Sequence, residues 1–229
     1  GVFWRSLANT AIYSLYVPLS AGIALLVALM VNRRVRGIRL VRTIFFLPFV
    51  CSAVAVALVW QWMFQADYGL INSALTQIGW RPLDWLGNPR TALIAVMIVA
   101  VWVHLGYQMV VFLAGLQGIP ETYLEAARVD GANAWQRFRH VTLPLLRPVI
   151  LFVLVTGVIG AFQVFTVVYV MTQGGPLRAT EVAVHHIYQT AWGLHQFGAA
   201  SAMSMVLLVV LLAVTLIQFR LLGRRVEYA

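Results

Sequence analysis

No lysine occurs among the 229 residues, and that absence removes whole classes of chemistry. A phosphate-binding Walker A loop needs a lysine to reach the β- and γ-phosphates, so the chain holds no such loop. A lysine Schiff base is excluded for the same reason. The single cysteine, Cys51, excludes an internal disulfide and a cysteine metal cluster. Inside its apolar run it is expected to act as a small core hydrophobe. Charge is scarce: 10% of the residues are charged, where a soluble domain carries about 25%. The acidic residues number seven and avoid the long apolar runs, so an intramembrane aspartate dyad has no candidates. No Gly-x-Ser-x-Gly elbow is present to suggest a serine hydrolase.

What is present is apolar surface. Hydrophobic residues make up 62% of the chain, too much for one water-soluble core, and lipid is the natural solvent for it. A helix needs about 20 apolar residues to cross the hydrocarbon core. Stretches free of Asp, Glu and Arg run over 6–32, 43–66, 91–120, 148–177 and 182–219. The predicted fold is all-α: a single polytopic transmembrane helix bundle over 1–229, with five spans near 6–31, 43–65, 91–115, 148–172 and 200–222. The first run is too long for the apolar region of a signal peptide and lacks a basic start. A further span ahead of Gly1 is expected in the full subunit, giving six or more.

The formal charge of +9 comes entirely from arginine. Arginines cluster between the apolar runs, a membrane pattern rather than a nucleic-acid one. Twelve lie on one side: Arg33, Arg34, Arg36, Arg39 and Arg42, then Arg128, Arg137, Arg139 and Arg147, then Arg220, Arg224 and Arg225. Four lie on the other: Arg5, Arg81, Arg90 and Arg178. Cytoplasmic loops are the positive ones, so Gly1 is predicted outside and the C-terminus in the cytoplasm. The outer segment 65–90 reads as a compact loop with a short helix. The outer segment 173–197 opens on the breaker Gly174-Gly175-Pro176 and continues as a surface amphipathic stretch. His185 and His186 are adjacent, so on a helix they point about 100° apart, and no metal site is expected.

The inner loop 117–147 is the richest segment. Pro120 suits a first helical position, and Glu121 complements the positive helix start. A short helix is predicted to run to about Asp130, with Gly131 ending it. Asn133 can cap a second helix. Trp135, Phe138 and Val141 then recur at three-residue steps as an apolar stripe. Pro144 and Pro148 interrupt the run before the next span.

One pattern runs through that loop. Glu125-Ala126-Ala127, three residues, Gly131, nine residues, Val141, one residue and Leu143-Pro144 resembles the EAA loop of ABC importer permeases, with Val141 in place of the more usual isoleucine. Ile119-Pro120 and Asp130-Gly131-Ala132 extend the likeness toward the carbohydrate branch, which includes maltose-type and glycerol-phosphate-type importers. Tyr169-Val170-Met171-Thr172-Gln173-Gly174-Gly175-Pro176 resembles the end of the next-to-last span in the larger, maltose-type permease of each pair. The resemblance implies a type I importer fold and a non-catalytic transmembrane subunit. It implies a second permease as partner, two ATPase subunits that bind ATP and magnesium, and an extracytoplasmic solute-binding protein. No cofactor is expected in this chain. By the same resemblance Glu125, Ala126, Ala127, Asp130, Gly131, Leu143 and Pro144 are the ATPase-coupling residues. Glu125 would make polar contacts, the alanines permit close approach, Gly131 turns the chain, and Leu143-Pro144 sets the second helix.

The substrate path has weaker signals. Polar side chains at mid-membrane depth face the bundle interior or water. His104 and Gln108 are four apart and share a helix face, with Gly106 and Tyr107 beside them. Gln163 sits near the centre of its apolar run. These five are the expected path residues, with a neutral sugar or polyol as cargo. Ala161-Phe162-Gln163-Val164 departs from the Asn-rich stretch of maltose-type relatives, so the resemblance does not extend to maltose itself. A glycerol 3-phosphate or glycerophosphodiester permease would look much the same, although no arginine lies in a span. A channel or secondary transporter could use the same glutamines and histidine but would not need the EAA pattern.

Overall fold

The structure is a computed structural model that describes residues 1–32 and 37–223. Arg33, Arg34, Arg36, Arg224 and Arg225 lie outside the described residues. Among those residues the regular structure is helical: α1 (Val2–Tyr13), α2 (Tyr16–Val31), α3 (Ile38–Val50), α4 (Ala53–Met63), α5 (Leu70–Gln77), α6 (Ala92–Gln117) and α7 (Glu121–Val129). Then come α8 (Ala134–Arg137), a π-helical turn (Phe138–Thr142), α9 (Leu143–Leu145), α10 (Arg147–Phe162), α11 (Thr166–Met171), α12 (Ala183–Tyr188), a second π turn (Gln189–Gly193) and α13 (Phe197–Leu222).

Three rods are long and apolar enough to cross a membrane: Val2–Val31, Ala92–Gln117 and Phe197–Leu222. The first is α1 and α2 joined through Ser14-Leu15. Pro18 causes that joint, since it has no N–H for the Ser14 carbonyl and its ring crowds it. Small residues make the tightest helix pair. Ala21, Ala24 and Ala28 line one face of α2, are buried, and pack on Met109, Phe112 and Leu113 of α6. In a membrane, close approach over small residues replaces the hydrophobic drive that water would supply. On the other flank Gly106 of α6 is buried against α3. A Cβ there would collide with the carbonyl oxygen of Phe45, so only glycine permits this backbone contact.

Two expected spans are not single helices. The segment predicted as 43–65 is divided at Cys51-Ser52, and α3 and α4 meet at 97°. Both junction residues are extended in ψ, at 152° and 126°. The segment predicted as 148–172 stops at Phe162, turns through Gln163–Phe165, and resumes as α11. Such breaks persist at membrane depth where protein or a cavity covers the backbone. Here α4 and α11 pack together over Ala57 and Met171, and Gln61 Nε2 donates to the Met171 carbonyl at 3.4 Å. α13 differs from all of these: its flank toward α10 is partly covered, and Ala200 is its one buried residue.

The segment 65–90 folds around Asn72, which is 3% exposed. Its Nδ2 donates to the carbonyls of Ala66 (3.0 Å) and Leu83 (2.8 Å). Its Oδ1 accepts from the Leu83 amide (3.1 Å) and the Trp85 indole (3.0 Å). One side chain thus pins both arms of the loop and accounts for the compactness expected there.

Candidate coupling loop and membrane cavity

The loop 117–147 is built by its own residues. α7 starts after Pro120 with Glu121 in its first turn. It ends on a Schellman motif: the Gly131 amide donates to the Arg128 carbonyl at 3.0 Å and the Ala132 amide to Ala127 at 2.9 Å. Gly131 has φ +76°, the left-handed conformation that costs other residues about 1–2 kcal/mol. Asn133 and Gln136 form a reciprocal capping box, with bonds of 2.9 and 2.8 Å, and open α8. Arg137 Nη1 donates to the Ala132 carbonyl at 2.6 Å and closes the turn from outside.

The second helix is not a regular α-helix. Pro144 offers no N–H to the His140 carbonyl, and the turn Phe138–Thr142 widens into a π-helix. The predicted stripe therefore loses its register. Trp135 remains 63% exposed, while Phe138 and Val141 are half-buried. The run bends by 63° into α10. Leu146, fully buried against Leu113 and Val153, anchors the bend.

The residues expected to couple to an ATPase are distributed along this hairpin in a definite way. Glu125, Ala126, Asp130 and Gly131 are exposed, and Ala127, Leu143 and Pro144 are half-buried. Tyr123 and Val129 are exposed too, at 55% and 89%. The hairpin thus presents a carboxylate, small residues and uncovered apolar side chains together, the mixture expected of a surface that another protein covers.

The second feature is a cavity of about 230 Å³ at the junction of the two helix breaks. Tyr13, Tyr16, Cys51, His104, Phe165 and Thr166 are among its walls. His104 Nδ1 donates to the Ala100 carbonyl at 2.9 Å, which fixes the tautomer and leaves Nε2 as an acceptor. The His104 ring lies 5.5 Å from Tyr16 and 6.2 Å from Phe49. The lining is mostly aromatic and apolar with a few polar groups, a composition suited to a small ligand bearing hydroxyls.

Of the five expected path residues, His104 lines this cavity. Tyr107 stacks on Phe49 at 4.8 Å, one layer behind the wall. Gly106 faces α3 instead. Gln108 is buried in the bundle, its Oε1 without a partner among the described residues. Gln163 caps α10 and is exposed, next to the lining residue Val164. Sequence reasoning missed Tyr13, Tyr16, Phe165 and Thr166. Tyr13 and Tyr16, three apart in an apolar run, were the available signal. Cys51, expected in a core, is exposed and lines the cavity because it ends α3. His186 pairs with Glu181 at 2.8 Å rather than with His185, and no metal-competent cluster occurs among the described residues.

The fold and the exposed hairpin define the class: a polytopic helical subunit with the type I importer permease fold. Residues 20–228 match the family of binding-protein-dependent transport system inner membrane components, and the chain belongs to that family. It is 42% identical over 231 residues to the "Probable ABC transporter permease protein YesP" of Bacillus subtilis, covering 99% of this chain and 74% of that one. It is 36% identical over 219 residues to the trehalose/maltose permease protein MalF of Thermococcus litoralis, with 95% and 74% covered. The sn-glycerol-3-phosphate permease protein UgpA of Agrobacterium fabrum is 36% identical over 230 residues, with 99% and 78% covered. A crystal structure of a bacterial ABC transporter that imports the acidic polysaccharide alginate superposes with TM-score 0.88 at 26% identity, covering 99% of this chain and 81% of that one.

Proposed function

We propose that this chain is the transmembrane permease subunit of an ATP-binding-cassette importer that carries a sugar or related polyol across the bacterial plasma membrane. The observation that carries the reading is the exposed hairpin around Gly131, with Glu125 and Ala126 uncovered on its first helix. The hairpin docks on a separate ATPase, which binds ATP and magnesium. Two ATPases, a second permease and an extracytoplasmic binding protein complete the assembly. The hairpin lies in the cytoplasm, Gly1 outside and the C-terminus inside. Closure of the ATPases moves the hairpin, and the bundle exchanges between two packed arrangements as rigid bodies. Sugar relatives support the cargo class, and so does the aromatic cavity without an arginine in its walls.

Glycerol 3-phosphate is the second reading, favoured by the equal identity to UgpA. Reconstitution of the whole assembly in liposomes separates the two. The account expects binding-protein-dependent, ATP-dependent uptake of a neutral saccharide, with weaker uptake in His104→Leu. Preferential uptake of glycerol 3-phosphate would replace the cargo assignment. Uptake that proceeds without the ATPase would replace the importer reading with a channel.

A further inference from the structure

A second polar cavity, of about 560 Å³, opens where α3 begins beside the end of α6 and the start of α7. Arg39 and Arg42 enter it from α3, and Asn32, Gln117 and Glu121 from the surrounding elements. Arg42 is held in place: its Nη2 donates to the Val31 carbonyl at 3.0 Å, at the C-terminus of α2. Its Nε is buried without a partner among the described residues. Arg39 and Arg42 both line the cavity, and a phosphate supplies acceptors in the planar arrangement a guanidinium favours.

We infer that this cavity binds the headgroup of a membrane phospholipid, with its phosphate between Arg39 and Arg42. The inference rests on the orientation proposed above, which puts the cavity at the inner leaflet. Three observations select a lipid over a free anion. Glu121 is the acidic group in the walls, so the site offers acceptors as well as positive charge. A free phosphate gains nothing from that carboxylate, whereas a headgroup with hydroxyl or ammonium donors can satisfy it. The cavity also has an apolar side, including Leu116 and Leu124. Beyond it Leu40, Ile44 and Leu47 form an exposed apolar face on α3, along which acyl chains can lie. Basic pockets between helices on the cytoplasmic side are the chemistry by which membrane proteins hold lipid headgroups. The site touches α7, so an occupant would brace the root of the coupling hairpin.

The same arrangement predicts selectivity. Phosphatidylglycerol and phosphatidylethanolamine carry headgroup donors for Glu121, Gln117 and Asn32. Phosphatidylcholine has the phosphate but no donor. The test uses the intact complex with its partner permease and ATPase, delipidated in detergent and titrated with each lipid. Bound lipid is counted by intact-complex mass spectrometry. The parent is expected to retain one more phosphatidylglycerol or phosphatidylethanolamine than Arg39→Gln, whose affinity falls about tenfold. Arg39 is exposed, so this variant keeps the fold, and Arg42→Gln should act in the same direction. Phosphatidylcholine should bind the parent more weakly than either, and millimolar inorganic phosphate should not displace the lipid. Equal retention in parent and variants overturns the site. Displacement by inorganic phosphate assigns a free-anion site instead. Hydrolysis stimulated by the binding protein, read on the same samples, tests the importer reading separately. Normal stimulation with equal lipid retention sinks the lipid site alone, and retained lipid without stimulation in the parent sinks the importer reading alone.

Discussion

The hairpin of α7 and α8 turns where its own side chains make it turn. Gly131 takes a left-handed φ that closes α7, and Asn133 with Gln136 opens α8 through bonds within three residues. The breaks at Cys51-Ser52 and Gln163–Phe165 are not closed by comparable local side-chain bonds, although Pro48 disturbs the last turn of α3 ahead of the first. Ser52 makes no capping bond as the N-cap of α4, nor does Phe165 as the N-cap of α11. These breaks are held instead by long-range packing of α4 on α11 and by the Gln61–Met171 bond. The difference teaches where each part is vulnerable. The hairpin should fail by local substitutions that leave the bundle assembled. The membrane region should fail by substitutions that separate helices.

The largest effect is expected from Gly106→Leu, which forces α6 away from the Phe45 backbone. Overpacking of this kind costs about 1–3 kcal/mol, and backbone contact places it at the upper end. Thermal unfolding of the purified complex should show a clearly lowered midpoint. A midpoint equal to the parent's would mean that α3 does not pack there. Gly131→Trp comes next, at about 1–2 kcal/mol for the left-handed backbone. It should cut binding-protein-stimulated hydrolysis about tenfold or more, with the midpoint lowered less than in Gly106→Leu and the complex still assembled. Loss of assembly instead would erase the contrast between the two regions. Asn133→Ala removes the capping box at about 1 kcal/mol and should give a smaller, same-direction loss in that assay.

The smallest effect concerns pH. His185, in the segment 173–197, is buried beside Phe165. Burial pushes its pKa below the usual imidazole value; Glu181 opposes this and His186 adds to it. The folded chain keeps the ring neutral while the unfolded chain takes a proton, so stability falls as pH drops through the ordinary imidazole range. The parent should therefore lose more stability on mild acidification than His185→Phe. Equal losses would show that the ring is solvated.

The contrast also explains what could be read from the sequence. Helix ends that depend on Gly131 and Asn133 were legible, because the interacting groups are neighbours in the chain. The π-helical turn was half-legible: Pro144 announced a disturbance but not its form. The division of 43–65 carried one signal, Pro48 near the end of α3, but the apolar composition around it gave neither the position nor the angle of the break. The cavity followed the same rule. His104 could be found as an isolated polar residue, but Phe165 reaches the cavity through a break that only tertiary packing specifies. Gly106 stood out in the sequence for a place beside the substrate, and the structure adds that it lets the backbones of α6 and α3 touch.

Docking of the hairpin on an ATPase is the central claim, and a cross-link tests it most directly. Cys51 is the one cysteine of these 229 residues, so Cys51→Ser gives a background in which Ala126→Cys is the single thiol among them. The account predicts that a short thiol-to-amine linker joins position 126 to the ATPase subunit of the assembled complex, with a yield that changes when ATP is bound. An assembled, hydrolysing complex in which position 126 stays free, while a thiol in the 65–90 loop such as Trp80→Cys reaches the ATPase, would contradict it.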